Sequence, residues 1–481
     1  MNTISQILSF ETKNIIFDNI LTKLKEKLFN FFTQSINNFS KNKYISFMLN
    51  LQKLFFNEIK KLIITFIETV DNIYRDSKER KQKLYINIKH DPRTIYTIFG
   101  EITFHRTYYK YKKEKKYYYF IDDVFGLPKY DTYDPVVKAI SVDDAVNSNP
   151  NNAANHSSLR ISHILDSISS NVSQISRQSI YRWIKKININ TINYEPIPTS
   201  KTLYVMADEK WIHKQDKLDT SKKKKWIMSK CFVTFTHIKT KGKRNILKGK
   251  HIFITTTNNP WKEFMDEIAK IYDFEKIETI NLLSDAGTWI LAGKSELKLY
   301  TTNKIVVNTC EFHVKQKINR STKDQDLRKK LYKIIYEDED KKLFKKTMLD
   351  IIDNQAKQSR KDKITDYMNY ILKHWNGIIA MKYCPCKSSM ESHISHCIAS
   401  NFGSRPKAYS NSNIQTYLKL REASLNGINI IDYYLKSFYA DEHFIYNEKE
   451  VDFSLFDYST SNLPALHSSS PISKILASLS H

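Results

Sequence analysis

The sequence predicts a protein of the α/β class, with helical and β segments before its central α/β region. Apolar residues recur at helical spacing from residue 4 to about residue 74, which predicts amphipathic helices. Between residues 200 and 320, runs of β-branched and aromatic residues alternate with helix-like stretches, as in α/β domains. Residues 324 to about 375 are charged and have helical periodicity, which predicts an all-helical insertion.

The composition indicates a folded protein with a polyanionic partner. The 481 residues suffice for two to four domains, and a hydrophobic content of 41% with 13% aromatic residues is typical of folded chains. The formal charge of +25 favours nucleic acid as the partner. The Lys-, Asn- and Ile-rich composition of an AT-rich coding sequence contributes to the same excess.

The cysteine content and the apolar runs indicate the compartment. Five cysteines in a chain of this length do not make a disulfide framework, which favours a reducing environment. Polar residues interrupt the start of the chain from Asn2 onward, so no secretory signal is predicted. The apolar run at residues 62–67 is far too short to span a bilayer. We therefore expect a cytoplasmic protein without membrane contact.

The first 135 residues divide into two predicted regions. Residues 1–82 predict two or three helices. Residues 83–135 predict a β-hairpin region, with Gly100 as the turn point between aromatic and β-branched strands. Residues 108–119 interleave tyrosine with lysine, and two interpretations stay open. The segment is either a strand that grips phosphates and stacks bases, or an edge strand kept soluble by lysine.

A helix-turn-helix pattern occupies residues 158–187, within a region bounded at 136–195. Ser176 is the predicted N-cap of the second helix, flanked by Ile175 and Ile180 as a hydrophobic staple. That helix has an apolar stripe, and four side chains near its start lie outside the stripe, namely Arg177, Gln178, Tyr181 and Arg182. We expect these four to contact DNA, because this end of such helices enters the major groove. An ordinary helical hairpin would show the same stripe.

Residues 200–320 predict the first part of an α/β core. One strand leads to Asp208, and two more are predicted at 226–237 and 246–255. A helix then starts at Asn259-Pro260, with a predicted apolar stripe of Trp261, Phe264, Met265, Ile268 and Tyr272. A fourth strand reaches Asp285, and a helix separates it from a fifth strand at residues 304–308. Three strands, a helix and two further strands is the element order of an RNase H-like core.

The remaining chain is predicted to complete this core after a helical interruption. Residues 321–380 form the all-helical insertion, in which the acidic run at 337–340 is expected to be a solvated helix junction. Residues 381–430 complete the core, with Glu391 at the start of a helix-like stretch. Residues 431–481 are expected to be a C-terminal tail, poorly ordered where it becomes Ser-rich.

Asp208, Asp285 and Glu391 are the predicted catalytic and metal-binding residues. Two strand-end aspartates and a later helical glutamate suit a site for two divalent metal ions. Two ions about 4 Å apart can activate an oxygen nucleophile and stabilise the leaving alkoxide of a phosphodiester. Mg²⁺ prefers such hard oxygen ligands, and Mn²⁺ is the alternative ion. Three carboxylates this close repel one another, so at least one should have a raised pKa without metal.

Each acid also has a purely structural interpretation. Asp208 and Asp285 could cap the turns after their strands, and Glu391 could close a capping box begun by Ser388. A zinc site is the rival metal hypothesis, on a cluster of thiol and imidazole groups: Cys384, Cys386, His393, His396 and Cys397. The Cys-x-Cys and His-x-x-His spacing of this cluster is not standard for zinc.

Two further residues are expected to contact DNA phosphates. His313 follows the fifth predicted strand and can act through a charged imidazole. Arg405 follows the predicted glutamate helix, and its planar guanidinium suits phosphate oxygens. A lone histidine is more often structural, and that alternative stays open for His313.

Taken together, these segments resemble the ISLre-two insertion-sequence transposases, also known as an uncharacterised transposase-like family. The resemblance runs from the N-terminal helices to about residue 427 and is carried by residues 93–109, 176–180, 207–211 with Gln215, 285–290, 312–313, 391–396 and 404–406. It implies a DDE transposase with Asp208, Asp285 and Glu391 as its acids. It also implies double-stranded DNA as partner, at element ends and target, a homo-oligomer, and association with a bacterial nucleoid.

The chain departs from the family pattern near the second acid. Ser284 and Ala286 stand where the family usually has glycine, and Cys310 stands where it usually has aspartate. The leading hypothesis remains a transposase that cleaves and joins DNA strands. A structure-specific nuclease on the same core would cut without joining, and a decayed copy would bind DNA without catalysis.

Overall fold

The computed structural model describes residues 10–37, 43–147, 175–213, 226–242, 244–402 and 411–441. The chain divides into two compact units, one from Met1–Ile187 with Asn429–His481 and one from Asn188–Ile428. The first helix of the predicted helix-turn-helix, residues 214–225, Arg405 and the chain beyond residue 441 lie outside the described residues. No helix in the described part of the chain combines the length and apolar character needed to cross a bilayer.

The first unit begins with helices that lead into a small sheet. These elements are α1 (Phe10–Asn37), α2 (Tyr44–Asp76), α3 (Lys78–Lys83), β1 (Leu84–Thr97), β2 (Gly100–Tyr111) and β3 (Tyr117–Tyr119). The helices α4 (Phe120–Val124), α5 (Pro135–Asn147) and α6 (Arg177–Lys186) follow. The helical periodicity of the N-terminal region is confirmed by α1 and α2.

Strands β1 and β2 form the predicted antiparallel hairpin, with Thr97 opposite Gly100. Gly100 has a φ of 110°, a conformation that side-chain-bearing residues rarely adopt. Strand β1 is longer than predicted, with register shifts near Ile88 and Asp91. One face of the sheet packs with α2 and α4 in a core formed by Ile67, Val70, Tyr74, Leu84, Ile95, Ile102, Phe104, Tyr109, Phe120 and Ile121.

Helix α6 is the second helix of the predicted helix-turn-helix. Its N-cap is Ser176, whose Oγ accepts a hydrogen bond from the Ser179 amide at 3.1 Å. The residues of the predicted apolar stripe are all buried, namely Ile180, Trp183, Ile184 and Ile187. The predicted N-cap and stripe are therefore confirmed, whereas insertion into a DNA groove stays a prediction.

A five-stranded sheet forms the centre of the second unit. In chain order the strands of this unit are β4 (Thr202–His213), β5 (Trp226–Phe235), β6 (His237–Lys241), β7 (Arg244–Lys248), β8 (His251–Thr255), β9 (Thr279–Ser284) and β10 (Lys304–Thr309). The sheet has the order β10-β9-β4-β5-β8. Strands β4, β9 and β10 are parallel, and β5 is antiparallel to both of its neighbours. Strands β6 and β7 form a separate hairpin.

One of the predicted core strands is divided in the structure, whereas the strand predicted at 226–237 is confirmed as β5, which ends at Phe235. The strand predicted at 246–255 is interrupted at Gly249, which has a φ of 58°. A Cβ atom at this position would lie 2.5 Å from Oγ1 of Thr236, so the close approach also requires glycine. The chain leaves the main sheet near Thr236 and returns after Gly249. The prediction of one uninterrupted strand at 246–255 was wrong, because β7 of the separate hairpin has the same strand-like composition as β8.

Helices α7 (Pro260–Ile271) and α8 (Thr288–Tyr300) pack on one face of this sheet. The predicted stripe of α7 is buried against sheet residues in a core that includes Leu203, Val205, Ala207, Phe232, Trp261, Phe264, Met265, Ile268, Leu282 and Ile290. The two helices approach closely, because a Cβ atom on Gly293 of α8 would lie 2.0 Å from Cζ2 of Trp261. This prediction of a helix beginning at Pro260 is confirmed.

The predicted insertion is helical in the structure. Helix α9 (Glu311–Ser321) leads into it and is followed by α10 (Gln325–Lys333), a π-helical turn (Ile334–Asp338), α11 (Lys341–Asp353), α12 (Gln358–Lys373) and α13 (Trp375–Tyr383). These helices share their own core, with Val314, Ile318, Leu331, Phe344, Met348, Ile364, Ile371 and Trp375 among its members. The acidic run is a helix junction as predicted, since Oδ1 of Asp340 caps the amides of Lys342 and Leu343 at 2.9 Å each.

The second unit ends with helices that return to the sheet. They are α14 (Met390–Ile394), a π-helical turn (Ser395–Ala399), a short turn of helix (Ser400–Phe402) and α15 (Asn411–Leu425). Strand β8 is an edge strand, and side chains at the end of α15 satisfy its backbone. Glu422 accepts a hydrogen bond from the Ile254 amide at 2.6 Å. Asn426 bonds both backbone groups of Ile252, at 2.8 and 2.7 Å.

The last described helix, α16 (Ile430–Asp441), belongs to the first unit and packs against α5. Its buried side chains are Ile430, Ile431, Tyr434 and Leu435. Residues from 431 onward were expected to form a tail. The structure instead places the beginning of that segment in the core of the first unit.

Candidate active site

The three predicted acids line one cleft of about 530 Å³ in the second unit. The cleft also contains Cys310 and His313 from the start of α9, together with residues from the loop before α14. Segments far apart in the chain therefore supply carboxylates to a single surface. The cleft lies where β4 and β9 end their parallel pairing, at the pair Met206 and Leu283.

Asp208 lies within strand β4 and not at its end, which corrects the sequence prediction. The strand continues to His213 because it pairs with β5 along its whole length, with Asp208 opposite Cys231. Its parallel pairing with β9 ends two residues before Asp208, at Met206. Asp208 is thus fixed by a rigid strand but lacks a sheet neighbour on one side. Its Oδ1 atom accepts a hydrogen bond from the Glu209 amide at 2.7 Å.

Asp285 follows directly after β9, as predicted. Its Oδ1 atom accepts a hydrogen bond from the Gly287 amide at 2.8 Å, so the turn-capping interpretation is correct for one carboxylate oxygen. Ala286 has a φ of 69°, in the left-handed region that favours glycine. The turn is held by a second bond, from the Ala286 amide to Oγ of Ser284 at 2.7 Å. Ser284 therefore fastens a turn in which glycine would have fitted without strain.

Glu391 lies in the first turn of α14, and its side chain is 65% exposed. The helix begins after Ser389, which makes no side-chain cap, so Glu391 is not positioned to close a capping box with Ser388. The structural interpretation proposed for this residue was therefore wrong. An exposed carboxylate at the mouth of a cleft is available to a ligand.

His313 joins the acids in the cleft, with Nε2 at 3.6 Å from Oε1 of Glu391. Contact with the Cys310 thiol raises the pKa of His313, and the charges of Asp285 and Glu391 act in the same direction, while burial opposes them. Burial raises the pKa of the Cys310 thiol, but the side chain of His313 and the backbone amides of Phe312 and His313 together bring this pKa below its ordinary value. The predicted role of His313 in phosphate contact is compatible with a protonated imidazole at this position.

The electrostatics of the cleft raise the pKa of one acid, Asp208, to about 7. Burial is the main cause, the charges of Asp285, Glu209 and Glu391 add to it, and the hydrogen bond from the Glu209 amide opposes it. The smaller part of the shift, from neighbouring charges, is expected of carboxylates assembled for a cation. Their hard oxygen atoms match the preference of Mg²⁺ or Mn²⁺. In the described ranges, no three His, Cys, Asp or Glu side chains are arranged as they would be around a bound ion.

Two neighbours of Asp285 were not predicted. The Tyr370 hydroxyl, from α12 of the insertion, donates a hydrogen bond to the Asp285 carbonyl. Lys317 lies one helical turn after His313 on α9, with Nζ at 4.1 Å from the centre of the Tyr370 ring. Burial lowers the pKa of Lys317, and the charge of Asp285 counteracts this effect. The i, i+4 spacing of His313 and Lys317 was the signal that could have indicated Lys317.

A hydrogen bond links β4, the strand that carries Asp208, to α8. The Trp289 Nε1 atom donates to Oε2 of Glu209 at 2.6 Å. Trp289 belongs to the predicted motif that begins at Asp285, so the residues around both aspartates are tied together. This contact positions β4 against the turn after β9.

The cysteine and histidine cluster proposed for zinc is organised differently. Cys397 lies against Cys231 of β5. The hydrogen bond between the two thiols lowers the pKa of Cys397, and His393 is a further cause of this lowering. The same interaction raises the pKa of Cys231. Cys231, which was not in the predicted cluster, is therefore the partner of Cys397. Within the described residues the cluster does not form a metal-binding group.

The predicted DNA-binding residues of α6 belong to the first unit. Gln178 and Arg182 are exposed and Tyr181 is half-buried. Arg177 begins the helix, but its side chain is not among those the structure describes, and Arg405 also lies outside the described residues. The exposed positions on α6 are compatible with a binding role, which stays a prediction.

The second unit is thus an α/β domain with three carboxylates around one edge of a mixed sheet. The chain belongs to the uncharacterised protein family UPF0236, whose family model matches residues 46–435. It is 28% identical to a UPF0236 protein of Caldanaerobacter subterraneus subsp. tengcongensis, over 76% of this chain and 74% of the relative. Another UPF0236 protein of that organism is 27% identical, over 76% of each chain.

Proposed function

We propose that this protein is a DNA transposase with an RNase H-like catalytic core. The observation that carries the proposal is the convergence of Asp208, Asp285 and Glu391 on one cleft. The sheet order β10-β9-β4-β5-β8, with one antiparallel strand between parallel neighbours, supports the assignment of the core. The charge of +25 supports DNA as the substrate.

The proposed chemistry is phosphodiester cleavage followed by strand transfer. Divalent metal ions, when bound, would supply activation of the attacking oxygen and stabilisation of the leaving oxygen. Asp208 and Asp285 would hold them from rigid backbone positions, and Glu391 would complete the set from α14. His313 lies beside Glu391, where a protonated imidazole can hold a DNA phosphate. Water would be the first nucleophile, and the freed 3′-hydroxyl the second.

The relatives add support for a mobile element. The name of one UPF0236 relative, 26% identical to this chain, joins eleven locus designations from a single genome. A gene found at many places in one genome is what repeated transposition leaves. The resemblance to ISLre-two transposases points the same way, and we propose action as a homo-oligomer on element ends in the bacterial nucleoid.

The departures beside the second acid do not favour a decayed copy. Ser284 and Asp285 each accept a hydrogen bond within the turn that follows β9, so the turn closes without the usual glycines. A structure-specific nuclease would use the same acids, and a strand-transfer assay separates that alternative. Formation of joined products with target DNA is expected for the transposase.

The proposal is tested by DNA nicking with Mg²⁺ or Mn²⁺ on a duplex that carries the sequences flanking the gene. Asp208→Asn should lose nicking and keep DNA binding, because the change removes one charge and little volume. Asp326→Asn is the matched control, since that aspartate is 90% exposed and does not line the cleft. Nicking by Asp208→Asn at the rate of the unaltered protein would refute the proposal.

A further inference from the structure

The solvent face of the three-stranded sheet in the first unit carries an unusual row of aromatic and basic residues. Lys110 of β2 pairs with Tyr85 of β1 on one side and with Tyr117 of β3 on the other. Directly opposed residues project from the same face of a sheet, so these three side chains form one cross-strand row. Tyr85 is 59% exposed and Tyr117 is 51% exposed. The opposite face, which includes Phe104 and Tyr109, is the one packed against the helices.

The rings on this face are already aligned with one another. Tyr108 stacks on Tyr117 with ring centres 5.1 Å apart, and on Tyr119 with ring centres 4.4 Å apart. The Arg106 guanidinium continues the column, 3.7 Å from the centre of the Tyr119 ring. Tyr119 is anchored by a hydrogen bond from its hydroxyl to Asp91 at 2.9 Å. The column is therefore fixed at the Arg106 end, while Tyr117 leaves the other end open.

Positive charge surrounds the exposed rings. The Lys110 Nζ atom lies 6.0 Å from the centre of the Tyr117 ring, and the Lys112 Nζ atom lies 5.0 Å from that of Tyr85. The turn at residues 112–116, between β2 and β3, contains four lysines and one glutamate. The nearby carboxylates Asp91 and Asp122 are both paired with Arg106. The open end of the face is thus cationic.

We propose that this face binds unpaired bases of single-stranded DNA. Flat rings that protrude from a rigid sheet offer stacking surfaces to any base, and the lysines beside them attract the phosphates. Stacked bases of a duplex cannot reach such rings, because their faces are covered by one another. An edge strand that needed only solubility would gain from the lysines but not from two half-exposed tyrosines.

The inference rests on the proposed function and names the substrate form that the first unit takes. Strand cleavage at an element end frees a 3′ end, and the bases at that end must unpair to be held as a single strand before the 3′-hydroxyl attacks its target. A stacking face next to a basic turn would hold such a strand. It would do so in the absence of metal, because base stacking and the attraction of lysines to phosphates need no divalent ion.

The experiment measures binding of the full chain to a fluorescent thymidine oligonucleotide, and to a duplex of equal length, by anisotropy in EDTA. The double variant Tyr85→Ala/Tyr117→Ala should weaken single-strand binding by about 10- to 100-fold, because each lost base–ring stack contributes to affinity. Duplex binding should change by less than about twofold. Tyr85→Phe/Tyr117→Phe, which keeps both rings, should bind the single strand as the unaltered protein does.

Tyr130→Ala is the matched control. Tyr130 is 86% exposed and also has a lysine, Lys129, with Nζ at 5.0 Å from its ring centre, but it lies outside the sheet. Its removal should leave single-strand binding unchanged. Equal single-strand affinity of the unaltered protein and Tyr85→Ala/Tyr117→Ala, in a variant with an unchanged melting temperature, would overturn the inference. Because no metal is present, that result would leave the nicking test of the catalytic proposal untouched.

Discussion

Asp208→Asn should stabilise the metal-free protein while it abolishes catalysis. In the folded protein, burial and the charges of Asp285, Glu209 and Glu391 raise the pKa of Asp208 from 3.8 to about 7. A rise of this size corresponds to about 4 kcal/mol against the charged carboxylate at pH 8, at about 1.4 kcal/mol for each tenfold change. Asp208 is only partly buried, and solvent screening reduces the effect to about 2 kcal/mol.

The sign of the pH dependence follows from the raised pKa. Folding favours the protonated Asp208, so no cost is present below about pH 4, and the cost grows as pH rises to about 7. Asparagine carries no charge, and its carbonyl can still accept the hydrogen bond from the Glu209 amide. The stability of the variant and the unaltered protein should therefore be equal at acidic pH and diverge towards pH 8.

Thermal unfolding in EDTA measures this difference. At pH 8 the melting temperature of Asp208→Asn should exceed that of the unaltered protein by about 4 to 8 °C, from about 2 kcal/mol in a domain of this size. Adding Mg²⁺ should raise the melting temperature of the unaltered protein only. A variant that melts at or below the temperature of the unaltered protein at pH 8 would show that Asp208 carries no such repulsion.

Three further substitutions test the fold by chemical denaturation. Ala286→Gly should raise the free energy of unfolding by about 1 kcal/mol, because glycine removes the strain of the left-handed backbone; a loss of stability would contradict this. Asn426→Ala should lower it by about 2 to 5 kcal/mol, since both backbone groups of Ile252 lose their partners; a change below about 0.5 kcal/mol would refute the edge-capping role. Gly293→Ala should cost about 3 kcal/mol, because its Cβ would overlap the Trp261 ring; unchanged stability would disprove the close packing of α7 and α8.

Periodicity and helix-start residues predicted the elements that bury one face along their whole length. Helix α7 begins at Pro260 and buries the predicted stripe, and α6 begins after Ser176 with its stripe buried. The divided strand could not be predicted in this way. Gly249 breaks the third predicted strand through its left-handed φ and its contact with Thr236, and both depend on how the chain folds back on itself.

The acids of the candidate site were predictable as a set, but their surroundings were not. Asp208 was expected at a strand end because the apolar run stops there, whereas pairing with β5 extends β4 to His213. The contact of Cys231 with Cys397 joins residues 166 positions apart, and no local pattern signals such a pair. Tyr370 reaches Asp285 from an insertion helix for the same reason. Contacts between distant segments are set by the packing of the whole fold, and neither composition nor local spacing predicts them.

Titration with Mn²⁺ by isothermal calorimetry tests the central claim, that Asp208, Asp285 and Glu391 share one divalent-metal site. The unaltered protein should bind two ions per chain with DNA present. Asp208→Asn, Asp285→Asn and Glu391→Gln should each weaken this binding, while the control Asp326→Asn should not. If Glu391→Gln, the variant at the most exposed acid of the three, binds Mn²⁺ like the unaltered protein, the three carboxylates do not form one site.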